Sequence, residues 1–412
     1  MISELNELME DHQIDAFLVS GSGKHNPAMV YFTGTGHISK ADIIKVRGKE
    51  PILYHSPIER DEAKNTQLET ISYTKYPLNK YLKQENGNQI LASAHRYNDM
   101  LRDCGFQSGR LFLYGKIDFS FANAVAQALM SVNPDIKIVT DPEKDVLIKA
   151  CTTKNLDEIT RIKNVGRATI EIVHDIKEFL SSHNVEERTL VKNNGDPLTI
   201  GDLKNRINLL IAENGLENPE GTIFSIGDEA AVPHSSGSLD RLLRLGETII
   251  FDIFPCESGG GYFHDFTRTW CLGYASDEIN KIYQCVHDVY QKVIESLEVN
   301  KPFTYYNEMT CDLFSEAGYE TLKSNAAAES GFVHSLGHGV GLNIHEKPFS
   351  GFTASHNDIL EPGTVFTIEP GLYLPEKGIG VRLENTLACN MDGAIQILVD
   401  YPLDLIVPTK KR

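Results

Sequence analysis

The sequence lacks the features that mark membrane and secreted proteins. No apolar run approaches the roughly 18 residues that a membrane-spanning helix needs, and the opening MISELNELMEDHQ has neither the basic flank nor the apolar core of a signal peptide. Its seven cysteines are scattered and never spaced as C-x-x-C, which favours reduced thiols over a disulfide framework or a thiolate zinc site. We therefore expect a cytoplasmic protein with no membrane partner.

Positive charge is also scarce. The formal net charge is -18 and the isoelectric point is near 5.2, and no Lys/Arg cluster offers a local exception. Such a chain repels nucleic acid and anionic membranes. We expect its partners to be small molecules, peptides or cations, and not nucleic acid.

Two glycine stretches lack the spacing of nucleotide-binding loops. In GSGKH (21–25), Leu18 stands where a phosphate-binding loop needs its first glycine, and His25 replaces the Ser or Thr that follows the lysine. GHGVG (337–341) does not match the dinucleotide-binding fingerprint. Neither stretch predicts a nucleotide site.

The length of 412 residues exceeds what one hydrophobic core usually supports, so two domains are expected. Residues 1–145 predict an α/β domain, because strand-like runs alternate with helix-like segments such as DFSFANAVAQALMSV. The strand-like runs are DAFLVSG, MVYFTG, ADIIKV, PILYH, RLFLYG and IKIVT. The polar stretch DPEKD (141–145) predicts the connection to a second domain over 150–412.

The second domain combines helices with strand-rich segments. Apolar residues at three- and four-residue steps from Ile159 to Leu180 predict one long amphipathic helix. Similar patterns predict helices from Leu203 to Ile211, ended by Gly215, and from Ile279 to Leu297.

One predicted hairpin, ETIIFDIFPCESGGGYFHDFTRTW (247–270), carries two aspartates. If its fold-back is centred between Ser258 and Gly259, Asp252 lies directly opposite Asp265. Opposed residues on one sheet face have Cβ atoms about 4.5 to 5.5 Å apart, where like charges destabilise the pair. A bulge would shift this register.

A second predicted hairpin, FTIEPGLYLPEKGIGVRLENT (366–386), places Glu369 opposite Glu384 in the same way. Any single acid could be solvated on an exposed face, but Asp252 and Glu369 lie in runs apolar enough to be buried. Two divalent cations could balance four such carboxylates. With one imidazole the oxygen-rich set suits Mn²⁺ and tolerates Co²⁺ or Zn²⁺.

The segment HSLGHGVGLNIHE (334–346) supplies three candidate histidines. His338, between two glycines, can sit where backbones approach closely and is the candidate metal ligand. His334 and His345 could donate hydrogen bonds to a substrate carbonyl or oxyanion. The alternative for each of the three is a histidine that only fills the core.

Two further residues have two interpretations each. His234, in AAVPHSSGS, is by itself typical of a loop residue, with a role in catalysis as the alternative. Arg382, two positions from Glu384, shares its sheet face and either orients the glutamates through a salt bridge or binds a substrate carboxylate.

Four of these segments together resemble the pita-bread metallopeptidases. FDIFPCESGGGYFHDFTRTW, HSLGHGVGLNIHE, TVFTIEPGLY and GVRLENT occur in the order of that group, close to its spacing, over roughly residues 150–410. The group includes methionine aminopeptidase, aminopeptidase P and prolidase, with metal-free creatinase as a relative. The resemblance implies an α+β catalytic domain with a curved, mainly antiparallel sheet and outer helices.

The resemblance also implies roles for the candidate residues. The implied ligands of two divalent metal ions, with Mn²⁺ expected and Co²⁺ or Zn²⁺ as alternatives, are Asp252, Asp265, His338, Glu369 and Glu384, of which Asp265 and Glu384 bridge. Glu369 would be the acid/base partner of a metal-bridging hydroxide. The implied substrate site contains His234, His334, His345 and Arg382, with His334 and His345 also taking part in catalysis.

The segment NPAMVYFTG (26–34) resembles the N-terminal α/β domain of aminopeptidase P, prolidase and creatinase. This likeness implies the proline-specific branch, an Xaa-Pro aminopeptidase or dipeptidase acting on peptides with proline second, and a homodimer. Two alternatives stay open: a non-catalytic binding module of the same fold, and a creatinase-like hydrolase of carbon–nitrogen bonds that needs no metal.

Overall fold

The computed structural model describes residues 2–34, 38–355 and 357–410. The chain forms two compact units: Met1–Cys151 with Ser258–Gly261, and Thr152–Glu257 with Tyr262–Arg412. Within the described ranges, no helix has both the length and the apolar character needed to cross a membrane.

The first unit is built from seven α-helices and six strands among its described residues. The helices are α1 (Ile2–Asp11), α2 (Pro27–Thr33), α3 (Arg60–Asn65), α4 (Leu78–Gln84), α5 (Gln89–Asp103), α6 (Phe119–Val132) and α7 (Val146–Thr152). The strands are β1 (Ala16–Gly21), β2 (Ala41–Val46), β3 (Ile52–His55), β4 (Glu69–Ser72), β5 (Gly109–Lys116) and β6 (Ile136–Ile138). They form one mixed sheet in the order β4-β3-β2-β1-β5-β6.

The sheet of the first unit is covered on both faces, because successive side chains of a strand point to opposite sides. On β1, Ala16 and Leu18 belong to one hydrophobic cluster, whereas Phe17 and Val19 belong to another. The alternation of strands and helices predicted from the sequence is therefore present.

One predicted strand of the first unit is wrong. MVYFTG lies in helix α2 and in the residue that ends it. Pro27 at the start of the helix fits a position whose N–H needs no partner, and Gly34 ends it with a left-handed φ of 64°. These end signals outweigh the strand propensity of Val30, Tyr31 and Phe32.

The second unit holds four α-helices and fifteen strands among its described residues. The helices are α8 (Leu156–Ser181), α9 (Ile200–Glu213), α10 (Asp277–Ser296) and α11 (Phe303–Glu316). The strands are β7 (Asn184–Glu186), β8 (Thr189–Val191), β9 (Leu216–Glu217), β10 (Thr222–Ile226), β11 (Thr248–Ile253), β12 (Cys256–Glu257), β13 (Phe266–Leu272), β14 (His338–Gly339), β15 (Glu346–Phe349), β16 (Val365–Ile368), β17 (Gly371–Leu374), β18 (Ile379–Arg382), β19 (Asn385–Cys389), β20 (Ile395–Ile397) and β21 (Ile406–Val407).

Two sheets carry the residues of interest in the second unit. One has the strand order β10-β11-β13-β21 and the other β15-β14-β16-β19-β20. Every pairing in them is antiparallel except β13 with β21. The three helices predicted from apolar periodicity are present as α8, α9 and α10, and α8 begins with a capping box formed by Asn155 and Glu158.

The register predicted for the first hairpin is wrong by two residues. Asp252 pairs with Thr267, and Asp265 lies just before β13 begins. The fold-back is centred between Gly259 and Gly260, which both have a positive φ, 90° and 86°. Glycine adopts such values without the steric cost that other residues meet, so the turn forms there. Both aspartates still lie on one face, because a shift of two keeps the alternation.

The register predicted for the second hairpin is confirmed. Ile368 pairs with Asn385, and Gly371 pairs with Arg382. Counting from either pair along both strands brings Glu369 level with Glu384. The two glutamates lie between the ladder of β16 with β19 and the ladder of β17 with β18.

Candidate metal centre

All nine residues singled out from the sequence line one cavity of about 590 Å³ in the second unit. They are Asp252, Asp265, His338, Glu369 and Glu384, together with His234, His334, His345 and Arg382. They come from six separate segments of the chain, and strand ends bring most of them together. Asp252 lies within β11, His338 begins β14, Glu369 follows β16 and Glu384 precedes β19.

Three of these residues offer ligand atoms close enough to share one ion. One ligand atom each of Asp265, His338 and Glu384 lies within 4.8 Å of the others. The Nε2 atom of His338 is 3.6 Å from Asp265 Oδ2 and 3.4 Å from Glu369 Oε1. Asp265, His338 and Glu384 are all buried.

The imidazole of His338 is oriented for ligation. Its Nδ1 atom donates to the carbonyl oxygen of Gly339 at 3.1 Å, which leaves the Nε2 lone pair facing the carboxylates. Burial, with His345 nearby, lowers the pKa of His338 to about 3, so the ring is neutral. A lone pair facing oxygen lone pairs at 3.4 to 3.6 Å is unfavourable unless a proton or a metal cation lies between them.

The carboxylates repel one another strongly in the absence of a cation. Burial, followed by the charge of Asp252, raises the pKa of Glu384 to about 8. Burial and then the charge of Glu384 raise the pKa values of Asp265 and Glu369 well above their ordinary range. These acids hold protons at neutral pH that a divalent cation would displace.

Two carboxylate oxygen atoms without hydrogen-bond partners indicate whether a metal ion fits the site. Asp252 Oδ1 and Glu384 Oε1 are buried and have no hydrogen-bond partner among the described residues. Unpaired buried carboxylate oxygens are costly unless they coordinate an ion. Four carboxylates and one neutral imidazole form a hard, oxygen-rich donor set suited to divalent cations. The residues present therefore fit a metal centre.

Arg382 is held by protein groups around the site. Its Nη2 atom donates to Asp252 Oδ2 at 2.6 Å, and its Nη1 atom donates to the hydroxyl of Tyr373 at 2.5 Å and to the carbonyl of Pro233 at 3.3 Å. Its Nε atom donates to Thr267 Oγ1 at 3.3 Å. The salt bridge considered from the sequence is therefore present, but it orients an aspartate instead of the glutamates.

His334 belongs to the same hydrogen-bond network. Its Nδ1 atom donates to the carbonyl of Ser335 at 2.8 Å, and its Nε2 atom accepts from the Tyr373 hydroxyl at 3.0 Å. Burial lowers the pKa of His334 to about 3. In this arrangement neither ring nitrogen is free to donate to a substrate.

The other two histidines lie at more open positions. His345 packs its ring against His338 with the centroids 4.3 Å apart, and both His345 and His234 are solvent-exposed. Burial, followed by the charge of His234, lowers the pKa of His345. An exposed, neutral imidazole beside the ligands can offer a hydrogen bond to a bound molecule.

The sequence reasoning missed several residues that shape the site. Tyr373 links His334 to Arg382, and Lys204 lines the cavity wall. Three buried threonines, Thr267, Thr367 and Thr386, bond to the candidate ligands. Each threonine stands two positions from a ligand along a strand, a same-face spacing that the sequence could have revealed.

Comparison with known proteins identifies relatives along the whole chain. Residues 158–390 match the model of Metallopeptidase family M24. The chain is 27% identical over 398 residues to an Xaa-Pro dipeptidase of Pyrococcus furiosus, which covers 95% of this chain and 96% of that protein.

Solved structures share the fold. The prolidase from Pyrococcus horikoshii OT3 has a TM-score of 0.73 at 22% identity, with 98% of this chain and 99% of that one covered. The X-Pro aminopeptidase from Thermotoga maritima MSB8 has a TM-score of 0.73 at 21% identity, with 97% and 99% covered. These full-length likenesses confirm the predicted fold class, an α/β N-terminal domain followed by an α+β domain.

Proposed function

Because the chain belongs to metallopeptidase family M24, we propose that it is a metal-dependent exopeptidase that hydrolyses the bond between an N-terminal residue and proline. Membership confirms the family and the hydrolase class expected from the sequence. Support for an Xaa-Pro substrate comes from likeness over 95% of this chain to an Xaa-Pro dipeptidase. The observation that carries the proposal is the convergence of nine candidate residues on one cavity with two orphaned carboxylate oxygens.

We propose a ligand set of five residues for two divalent cations, with Mn²⁺ as the native ion. The set is Asp252, Asp265, His338, Glu369 and Glu384. Its carboxylate oxygens favour Mn²⁺ over softer ions, and Co²⁺ or Zn²⁺ can substitute. When bound, such a pair of ions lowers the pKa of a water molecule and polarises the scissile carbonyl.

Glu369 is the proposed acid/base group. Its side chain is 16% exposed, compared with 6% for Asp265, so it is the carboxylate more open to a substrate in the cavity. Its Oε1 atom accepts a hydrogen bond from Thr367 Oγ1 at 3.3 Å. That bond leaves Oε2 as the oxygen that can take a proton from the attacking water and give it to the leaving nitrogen.

The residues proposed to bind substrate would do so through the N–H groups of their side chains. His345 and His234, both exposed at the cavity, would donate to the peptide carbonyl. Arg382 and His334 are proposed to line the substrate site. Because their donors already bond to protein groups, a substrate carboxylate would have to displace Tyr373 or Asp252 to reach them.

The two alternatives predict different behaviour with metal. A binding module would bind peptide without cleaving it, and a creatinase-like hydrolase would work after chelation. The intact set of four carboxylates and one imidazole disfavours both. Loss of peptidase activity in a chelator and its return with Mn²⁺ would exclude both alternatives.

A substrate comparison tests the proposal. The purified protein, stripped of metal, is assayed with Xaa-Pro and Xaa-Pro-Xaa peptides after Mn²⁺, Co²⁺ or Zn²⁺ is added in turn. We expect cleavage before proline, fastest with Mn²⁺, and loss of about 100-fold or more in kcat for Asp265→Ala because a ligand is removed. Cleavage of the dipeptide alone would identify a prolidase. No cleavage of either peptide with any ion would contradict the proposal.

We also propose a cytoplasmic homodimer. The dimer rests on the resemblance of the N-terminal domain to that of proline-specific enzymes. The location rests on the seven scattered cysteines, which favour a reducing compartment. Light scattering coupled to gel filtration would give the mass. A monomer at assay concentrations would contradict the dimer.

A further inference from the structure

We infer that Thr267 and Thr386 form a reciprocal clamp that positions the metal ligands of the two hairpins. Each of the two hairpins contributes one of these threonines, and each threonine bonds to a ligand on the opposite hairpin. Both side chains are buried, with 0% and 1% exposure. The inference rests on the proposed metal centre and assigns two positioning residues to it.

Thr267 controls the carboxylate of Glu384. It lies on β13, two residues beyond Asp265, and donates its hydroxyl to Glu384 Oε2 at 2.6 Å. The other oxygen, Glu384 Oε1, has no hydrogen-bond partner in the described part of the chain. The bond fixes the rotation of the carboxylate and turns Oε1, which is free of hydrogen bonds to the described residues, toward the cavity side of the ligand set. The same hydroxyl accepts from Arg382 Nε at 3.3 Å, which directs its proton toward Glu384.

Thr386 controls the backbone of Asp265. It lies on β19, two residues beyond Glu384, and its hydroxyl donates to the Asp265 carbonyl at 2.8 Å and accepts from the Asp265 N–H at 3.2 Å. Asp265 lies outside the β13 ladder, so these bonds replace the strand pairing that would otherwise hold it. The Asp265 side chain is fixed further by accepting from the Phe266 N–H at 2.9 Å.

A third threonine, Thr367 on β16, bonds to two further ligands within the sheet β15-β14-β16-β19-β20. Thr367 Oγ1 accepts from the His338 N–H at 3.1 Å and lies 3.3 Å from Glu369 Oε1. The three hydroxyls therefore reach four of the five proposed ligands. A methyl group in place of any of them would fill the space but leave a buried oxygen unpaired, which costs about 1 to 3 kcal/mol.

The test separates hydroxyl bonding from packing. Thr267→Val and Thr386→Val keep the volume and remove the hydroxyl, whereas Thr267→Ser and Thr386→Ser keep the hydroxyl. The matched control is Thr310→Val on α11. Thr310 is equally buried, and within the described residues its hydroxyl bonds only to the Tyr306 carbonyl, at 2.8 Å. Calorimetric titration with Mn²⁺ and the visible spectrum of the Co²⁺ form are measured for each protein.

We expect each valine variant to bind Mn²⁺ about 10- to 100-fold more weakly, as for other groups that orient metal ligands. The Co²⁺ spectrum should change, the serine variants should regain most of the affinity, and Thr310→Val should bind like the parent. Equal Mn²⁺ affinity and Co²⁺ spectra in parent and valine variants would overturn the clamp and leave the proposed function intact. A parent protein that binds no divalent cation would instead overturn the proposed function, and the clamp with it.

Discussion

The charge balance of the cavity depends on individual residues. Five acids line it, because Glu220 joins the four proposed carboxylate ligands, and its two cations are Lys204 and Arg382. Arg382 is already paired with Asp252 at 2.6 Å. His338 and His334 are neutral because burial lowers both pKa values to about 3. Neutralisation of the remaining acids therefore requires protons or cations, and the proposed ligands gain most from divalent ions.

Lys204 lines the cavity and, unlike Arg382, is not held by hydrogen bonds to other described residues. Among the described residues it makes no hydrogen bond or ion pair, and burial lowers its pKa. A partly buried, unpaired ammonium gains from an anionic group of a bound substrate. We predict that Lys204→Met raises KM about tenfold for an Xaa-Pro peptide with a free carboxylate, since a bond to a charged group contributes about 1.5 to 3 kcal/mol.

Substrate and residue controls sharpen this prediction. The same peptide as its amide has no carboxylate, so its KM should change little in Lys204→Met. Lys281→Met, at an exposed position on α10, should leave both KM values unchanged. Steady-state kinetics on both substrates gives the comparison. A parallel rise of KM for acid and amide would mean that Lys204 does not contact the carboxylate.

The sequence could predict which residue types line the cavity but not how they pair. All nine candidates line it, because carboxylates in apolar runs and histidines among glycines are informative patterns. The link from Asp252 through Arg382 to Tyr373 crosses β11, β18 and β17. No local spacing encodes such a contact, since it depends on how separate hairpins are packed.

At the scale of elements, turn chemistry decided which register predictions were right. The turn of the second hairpin, PEKG, ends in Gly378 with a φ of 62°, and the predicted centre held. The linker of the first hairpin offers three consecutive glycines, so several turns have similar cost. The sequence left the choice among them open, and the predicted centre was one residue too early.

A buried ion pair joins the segment HSLGHGVGLNIHE (334–346) to the start of the second unit. Lys154 Nζ donates to Glu346 Oε1, and their side chains are 2% and 8% exposed. Glu346 opens β15 and follows His345 directly. We predict that Lys154→Met lowers the free energy of unfolding by about 3 to 5 kcal/mol, because it leaves the Glu346 charge buried and unpaired.

Chemical denaturation followed by tryptophan fluorescence measures this loss, since the single Trp270 lies buried in the same unit. Lys323→Met is the control, because its partner Asp312 is 58% exposed and the pair contributes little. The double variant Lys154→Met/Glu346→Gln should recover part of the lost stability. A Lys154→Met protein as stable as the Lys323→Met control would show that water or a proton satisfies Glu346.

At the scale of the whole molecule, metal binding and stability are linked through the raised carboxylate pKa values. Without metal, the folded protein holds protons on Asp265, Glu369 and Glu384 that the unfolded chain releases near its ordinary pKa of about 4. The stability from these protons is fully present below that value. It is lost as pH rises through the folded pKa, which is about 8 for Glu384.

We therefore predict that the melting temperature of the metal-free protein falls between pH 7 and pH 8.5, a window in which the buried histidines are already neutral. Each group that keeps its proton contributes up to about 1.4 kcal/mol per pH unit, and about 1 kcal/mol corresponds to roughly 2 to 4 °C. With saturating Mn²⁺ the acids are ionised and balanced, so the fall should disappear. Scanning calorimetry with chelator and with Mn²⁺ measures both curves. Glu384→Gln removes one of the three groups, so it should make the fall of the metal-free melting temperature smaller. An equal fall with and without Mn²⁺ would show that groups outside the cavity cause it.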